Sequence, residues 1–316
     1  MKIDTDSSSK PHHITDIRAR VISRLGCLFL TGFVLICGAQ PSNVRAQESA
    51  DAKAKREEIE RRNAQITARN AQITANNEIV QRTYKAGNEA LLAGRFDEAI
   101  AQYNEGLAAD PEQVALLVNK SVALKQRGVA LYNSAVRSGD EATKKGGIAA
   151  AGRDFRDAYD SASKAVAIIK ANPGVYASGN LLAAYSSRAE AGRILLRVNA
   201  SIGEEVHTAF EEYIAVEPDE GKKLKARNDA AQVLIDAGLA ERAVTEFRKL
   251  VNENPYNVDA ILGLGMALFT TGDESRFKEA AKYLQQFVKM APDTHAKKAW
   301  ARQTLRELSA YLEPDK

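Results

Sequence analysis

Five prolines constrain this chain more than any other feature. Pro111, Pro173, Pro218, Pro255 and Pro292 each close a short amphipathic stretch, in the contexts GLAADP, AIIKANP, YIAVEP, LVNENP and FVKMAP. Successive prolines stand 62, 45, 37 and 37 residues apart. Proline cannot continue a helix, and it pushes the residue before it out of the helical region. Its recurrence after apolar helical runs marks the ends of repeating helical units. Apolar residues at i, i+3, i+4 and i+7 run through nearly every segment between them, with no alternating strand pattern and no Asn-Gly or Asp-Gly hairpin. One helical pair alone buries too little surface, whereas stacked pairs share a continuous core. The expected fold is therefore all-α: a right-handed α-solenoid of helix–turn–helix repeats whose concave face is lined by the first helix of each pair.

The clearest unit is YKAGNEALLAGRFDEAIAQYNEGLAADP, residues 84–111. It resembles the tetratricopeptide repeat, a family of 34-residue helix–turn–helix units with small and aromatic residues at set places. The resemblance implies that Gly87 and Ala99 let two helices approach, Gly94 turns between them, Phe96 and Tyr103 fill the space, and Pro111 ends the unit. A second unit, 224–255, matches with Gly238, Ala243, Phe247, Leu250 and Pro255. A third, 256–292, matches with Leu264, Gly265, Leu268, Gly272, Ala280 and Pro292, and its three additional residues are assigned to the turn GDESRF. Between them the pattern loosens. Residues 112–173 carry the helical VALLVNKSVALKQRG, a turn read as SGDEATKKGG, and an Ala-rich helix around 148–171. The expected repeats are about 80–111, 112–173, 174–218, 219–255 and 256–292, with a capping helix over 294–312.

The first 46 residues read as an address. Arg18, Arg20 and Arg24 precede the apolar run 25–39, and Val44-Arg45-Ala46 follows Pro41. A basic stretch, a short apolar run and a small-x-small site define a secretory signal peptide. Fifteen helical residues span only about 22 Å, against a hydrocarbon layer of about 30 Å. The expected location is thus outside the cytoplasm, periplasmic or secreted, with an uncleaved inner-membrane anchor over 25–39 as the alternative. Without residues 1–46 the chain carries 38 basic and 38 acidic side chains, and both cysteines, Cys27 and Cys37, are gone. A neutral chain gives no ground for expecting nucleic acid.

Residues 47–83 form a charged segment whose stretch 50–83 lacks Gly and Pro. Ile59, Ile66, Ile73 and Val80 recur every seven residues, and Asn63, Asn70 and Asn77 each follow an Ile by four. With Ile at heptad position d, Asn falls at a. Two readings stay open: a self-associating coil that dimerises a structural or assembly subunit of the envelope, or a solvated helix that spaces or lengthens the first repeat.

No phosphate loop, HExxH, GxSxG or metal-ligand spacing occurs, so neither an enzyme nor a cofactor is expected. The function expected is a non-enzymatic scaffold that binds a partner protein or peptide in its groove. Some tetratricopeptide domains hold a peptide's C-terminal carboxylate with Lys and Asn on successive first helices. By that resemblance the groove residues would be Asn88, Asn119, Lys120 and Arg188, with Tyr84 standing where the pattern has Lys. Intact mass of the protein purified from cells checks the leader: loss of residues 1–46 is expected, and a membrane-bound chain retaining them favours the anchor.

Overall fold

The computed structural model describes residues 50–311. The leader assigned to residues 1–46 lies outside them. Among the described residues there are eleven α-helices and no strand, as the periodicity requires. None of these helices is long and apolar enough to cross a membrane. They pair along the chain: α1 (Ala50–Leu92) with α2 (Phe96–Ala109), α3 (Val114–Ala135) with α4 (Glu141–Ala171), and α5 (Ser178–Leu195) with α6 (Gly203–Val216). Next come α7 (Glu220–Asp236) with α8 (Ala240–Glu253) and α9 (Val258–Thr270) with α10 (Phe277–Met290), and α11 (Lys298–Glu307) covers the last pair. Each of the five prolines stands two residues beyond the end of a second helix.

The turn at Gly94 shows how a pair is made. Gly94 has φ +71°, open to glycine at no steric cost. The Gly94 N–H donates to the Leu91 carbonyl at 3.1 Å and the Arg95 N–H to Ala90 at 2.9 Å. This is a Schellman close, which satisfies carbonyls the helix end would orphan. Gly238 repeats it, with Leu239 donating to Leu234 at 2.7 Å. In α9/α10 the connection is three residues longer and holds a 3₁₀ turn, Glu274–Arg276.

Glycine also sets how closely neighbouring helices approach, both within a pair and between pairs. A Cβ on Gly87 would run into the Tyr103 ring, and one on Gly263 into the Phe247 ring. Tyr103, Phe247 and Ala99 are fully or almost fully buried, as are Ala243, Ala280 and Phe287. On Gly265 a Cβ would stand 2.9 Å from Leu284.

The second pair departs from the sequence reading. Residues 141–147, assigned to the turn, belong to α4, and the turn shrinks to 136–140. Two causes are visible. The Asp140 carboxylate caps α4 by accepting from the Thr143 N–H at 2.7 Å. Gly147 sits where any Cβ would press within 2.7 Å of Ala135. Gly147, half of a glycine pair that looked like a chain reversal, therefore serves helix packing. The heptad segment also has no boundary at 83, because α1 runs unbroken from Ala50 to Leu92.

The buried apolar residues divide into a long core reaching from Val80 to Val233, a second from Ala231 to Leu308, and a smaller one between α3, α4 and α5. The first two meet in α7, which gives Ala226, Ala230 and Val233 to one and Ala231 and Leu234 to the other. Ala99→Leu should cost about 1–3 kcal/mol by overpacking a site with no free surface. A urea melt measures it, and an unchanged midpoint would mean 84–111 is not packed as described.

Candidate functional site: the polar seam of the first helices

First helices adjoin one another, α1 with α3, α3 with α5 and α7 with α9, more closely than second helices do. A stack whose first helices are the closer layer curves toward them, so they line the inner face. Polar groups bridge that layer. Asn88 Oδ1 on α1 accepts from Tyr103 Oη at 2.7 Å and from Asn119 Nδ2 on α3 at 2.8 Å. Farther along α3, Ser121 accepts from Ser187 of α5 at 3.1 Å, and Lys125 Nζ donates to Glu190 Oε2 at 2.5 Å. Between α7 and α9, Asn257 donates to Asn228 at 3.5 Å. α3 is thus wedged between its neighbours, turning Asn119 to one and Ser121 with Lys125 to the other.

The Asn88 cluster is rigid. Burial, then the nearby Tyr84, raises the Tyr103 phenol above its ordinary value, so the hydroxyl stays protonated and donates. Asn119 is 1% exposed, and its Oδ1 has no hydrogen-bond partner, a buried acceptor that costs about 1–3 kcal/mol. Asn88 is half-buried and spends its oxygen on the cluster, and among the described residues its Nδ2 has no acceptor. Lys85 lies one turn earlier on α1, exposed.

Of the residues that resemblance assigned to the groove, Asn88 and Asn119 are brought together and two others are drawn elsewhere. Burial lowers the Lys120 pKa, and the charges around it are Asp157 and Lys164 of α4, so Lys120 belongs to the α3–α4 contact. Arg188 is ion-paired with Glu212 of α6, which also holds Lys170 at 2.7 Å, and its guanidinium lies over the Tyr185 ring. Tyr84 is half-buried and packs against the long core. Sequence reasoning missed the Tyr103 hydroxyl and the Lys125–Glu190 pair. Lys125 was detectable, because Val118, Val122, Lys125 and Val129 share one buried helical face.

Two ion networks fasten the pairs. Arg127 of α3 reaches Asp154 of α4 with two bonds of 2.6 and 2.8 Å and Asp97 of α2 with one of 2.6 Å. The hydrogen bonds to Asp154 raise its pKa first, against the cost of burial, and Asp97 adds to the rise. Burial opposes ionisation of Glu190, yet Lys125, Arg193 and Lys225 together outweigh it and hold its carboxyl below the usual value. Such a group contributes stability above the ordinary carboxylate pKa of about 4.3, and the contribution disappears as pH falls through the folded value. Glu190→Gln should therefore lower the melting temperature at pH 7 and have a smaller effect at pH 3. Because the Glu190 side chain is 41% exposed, the expected loss is about 1 kcal/mol, or about 2–4 °C. Thermal melts at the two pH values read it.

The tetratricopeptide-repeat family matches the chain over residues 84–143 and 228–295. No curated protein matches it. Among solved structures, the MamA protein is 20% identical with TM-score 0.47, the alignment covering 71% of this chain and 96% of that one. The TPR2AB-domain:pHSP90 complex of yeast Sti1 is 18% identical with TM-score 0.29, over 74% and 99%. The P58(IPK) TPR domain is 12% identical with TM-score 0.30, over 74% and 98%. The family match falls on glycine-notched helix pairs, and the chain thus carries tetratricopeptide repeats at both ends of its solenoid.

Proposed function

We propose that this protein is a non-enzymatic scaffold outside the cytoplasm that holds an extended or helical segment of a partner protein along its first-helix face. Tetratricopeptide solenoids are protein-interaction scaffolds in general, and the finer reading rests on one observation. Asn88 is pinned by Tyr103 and Asn119 and offers two uncommitted amide hydrogens beside exposed Lys85. A fixed donor pair next to a cation suits a carbonyl or carboxylate of a bound segment, since its geometry is set before binding. The export reading is supported by the sequence of the first 46 residues alone: the arginines, the apolar run and the Val44-Arg45-Ala46 site.

A photo-activated crosslinking residue tests the groove in living cells. Placed at Lys85, on the first helix, it is expected to capture a discrete partner segment. Placed at exposed Asn104, on the second helix of the same pair, it should not. Equal capture from both positions, or capture unaltered by Asn88→Ala, removes the groove from the proposal. Because Asn88→Ala also leaves the buried Tyr103 hydroxyl and Asn119 amide without their acceptor, at a cost of about 1–3 kcal/mol, a thermal melt of the variant accompanies the crosslinking and separates lost binding from lost fold.

A further inference from the structure

α1 is three times the length of α2, and much of its N-terminal half stands open to solvent. Every residue from 53 to 75 is exposed. Burial begins at Asn76, whose Nδ2 donates to the Ala109 carbonyl at 2.8 Å. The free part is about 35 Å long at 1.5 Å per residue. Ala, Lys, Arg, Glu and Gln make up most of this stretch and favour a helix, and Ile59, Ile66, Ile73, Asn63 and Asn70 are set into it at fixed places. Along this stretch Arg62 pairs with Glu58 at 2.5 Å, one turn away.

The exposed apolar groups are ordered. Ile59, Ile66 and Ile73 are 57%, 56% and 42% exposed, and Val80, next in the same row, is 8% exposed under the solenoid core. The row that the core covers at Val80 is therefore bare for the preceding three heptads. A seven-residue row drifts by about 20° per heptad around a straight helix, so at Ile59 it has turned about 60° from the face at Val80. A partner helix on the row thus lies aside from α2. A row of period seven fits another helix wound around it.

We infer that α1 pairs through residues 59–73 with α1 of a second copy of this chain, parallel and in register. The Asn side chains select that occupant. A buried Asn amide carries donor and acceptor together and is satisfied by another Asn in the same layer. In-register parallel pairing sets Asn63 against its own copy and Asn70 against its own. An antiparallel pair sets a against d, so each amide would face Ile with no hydrogen-bond partner. Charge agrees. Positions g hold Lys55, Arg62 and Arg69, and position e of the second heptad holds Glu60. Parallel chains bring Lys55 to Glu60 of the copy, whereas antiparallel chains align basic g positions with each other. The two near-identical heptads RRNAQIT and ARNAQIT present the same layer twice.

Native mass spectrometry of the full chain at micromolar concentration is the test. Two chains are expected for the wild type, and one chain for Ile66→Lys with its helicity and solenoid melting unchanged, since Ile66 contacts nothing in its own solenoid. In a chain carrying Cys27→Ser and Cys37→Ser, a single Ile59→Cys should link to its copy under mild oxidation. A one-chain wild type overturns the pairing, as does a two-chain Ile66→Lys variant, which would place association elsewhere. Failure of Ile59→Cys to self-link overturns the parallel arrangement. None of these readouts involves the groove, so they stand apart from the crosslinking at Lys85.

Discussion

Everything in this molecule depends on how near two helix backbones can come. Where Gly87 faces Tyr103, Gly128 faces Phe155, and Gly263 faces Phe247, an aromatic ring fills the notch left by a missing Cβ. The ring is thereby buried by backbone as well as by side chains, and dispersion contacts accumulate where packing is dense. No single pair has enough such surface to stand alone, so each pair's outer face becomes the seat for the next. The glycine turns and the closing prolines only fix where the chain reverses. The notches fix the distance, and the distance makes stacking possible.

How far this could be read in advance follows from which signals are local. Gly94, Gly238, Pro111 and Pro255 declare turns and ends by their own stereochemistry, so the all-α repeat architecture was legible. Gly146 and Gly147 were misread for the same reason. Their glycine signature is that of a turn, and only the approach of Ala135 across the pair shows why a helix keeps Gly147 there, while Gly146 faces open space. The candidate site was half legible. Asn88 and Asn119 meet, but nothing in a linear pattern reveals that Lys120 turns to α4 or that Glu212 claims Arg188. Those outcomes depend on contacts made 24 to 44 positions away in the chain.

The seam between first helices trades stability for definition. An apolar seam could slide, since ridges of similar side chains fit in more than one register. Asn88 with Asn119, Ser121 with Ser187 and Lys125 with Glu190 each match at one offset only. Buried polar and ionic pairs of this kind are weak sources of net stability, and in some systems their value lies in specifying one arrangement. The unpaired Asn119 oxygen shows that such definition carries an energetic penalty.

The division of the core at α7 bears on mechanics. Above and below that helix the apolar interior is continuous, but through it the two sides communicate by small residues, Ala226, Ala230 and Ala231, with Val233 and Leu234. Ion pairs at the surface, Arg242 with Glu204 and Arg227 with Glu253, span this region from neighbouring helices. Small side chains give little leverage against bending, and exposed ion pairs exchange readily with water. Tension drawn along the solenoid should therefore find its least apolar resistance in the fourth pair, where small side chains join the two cores.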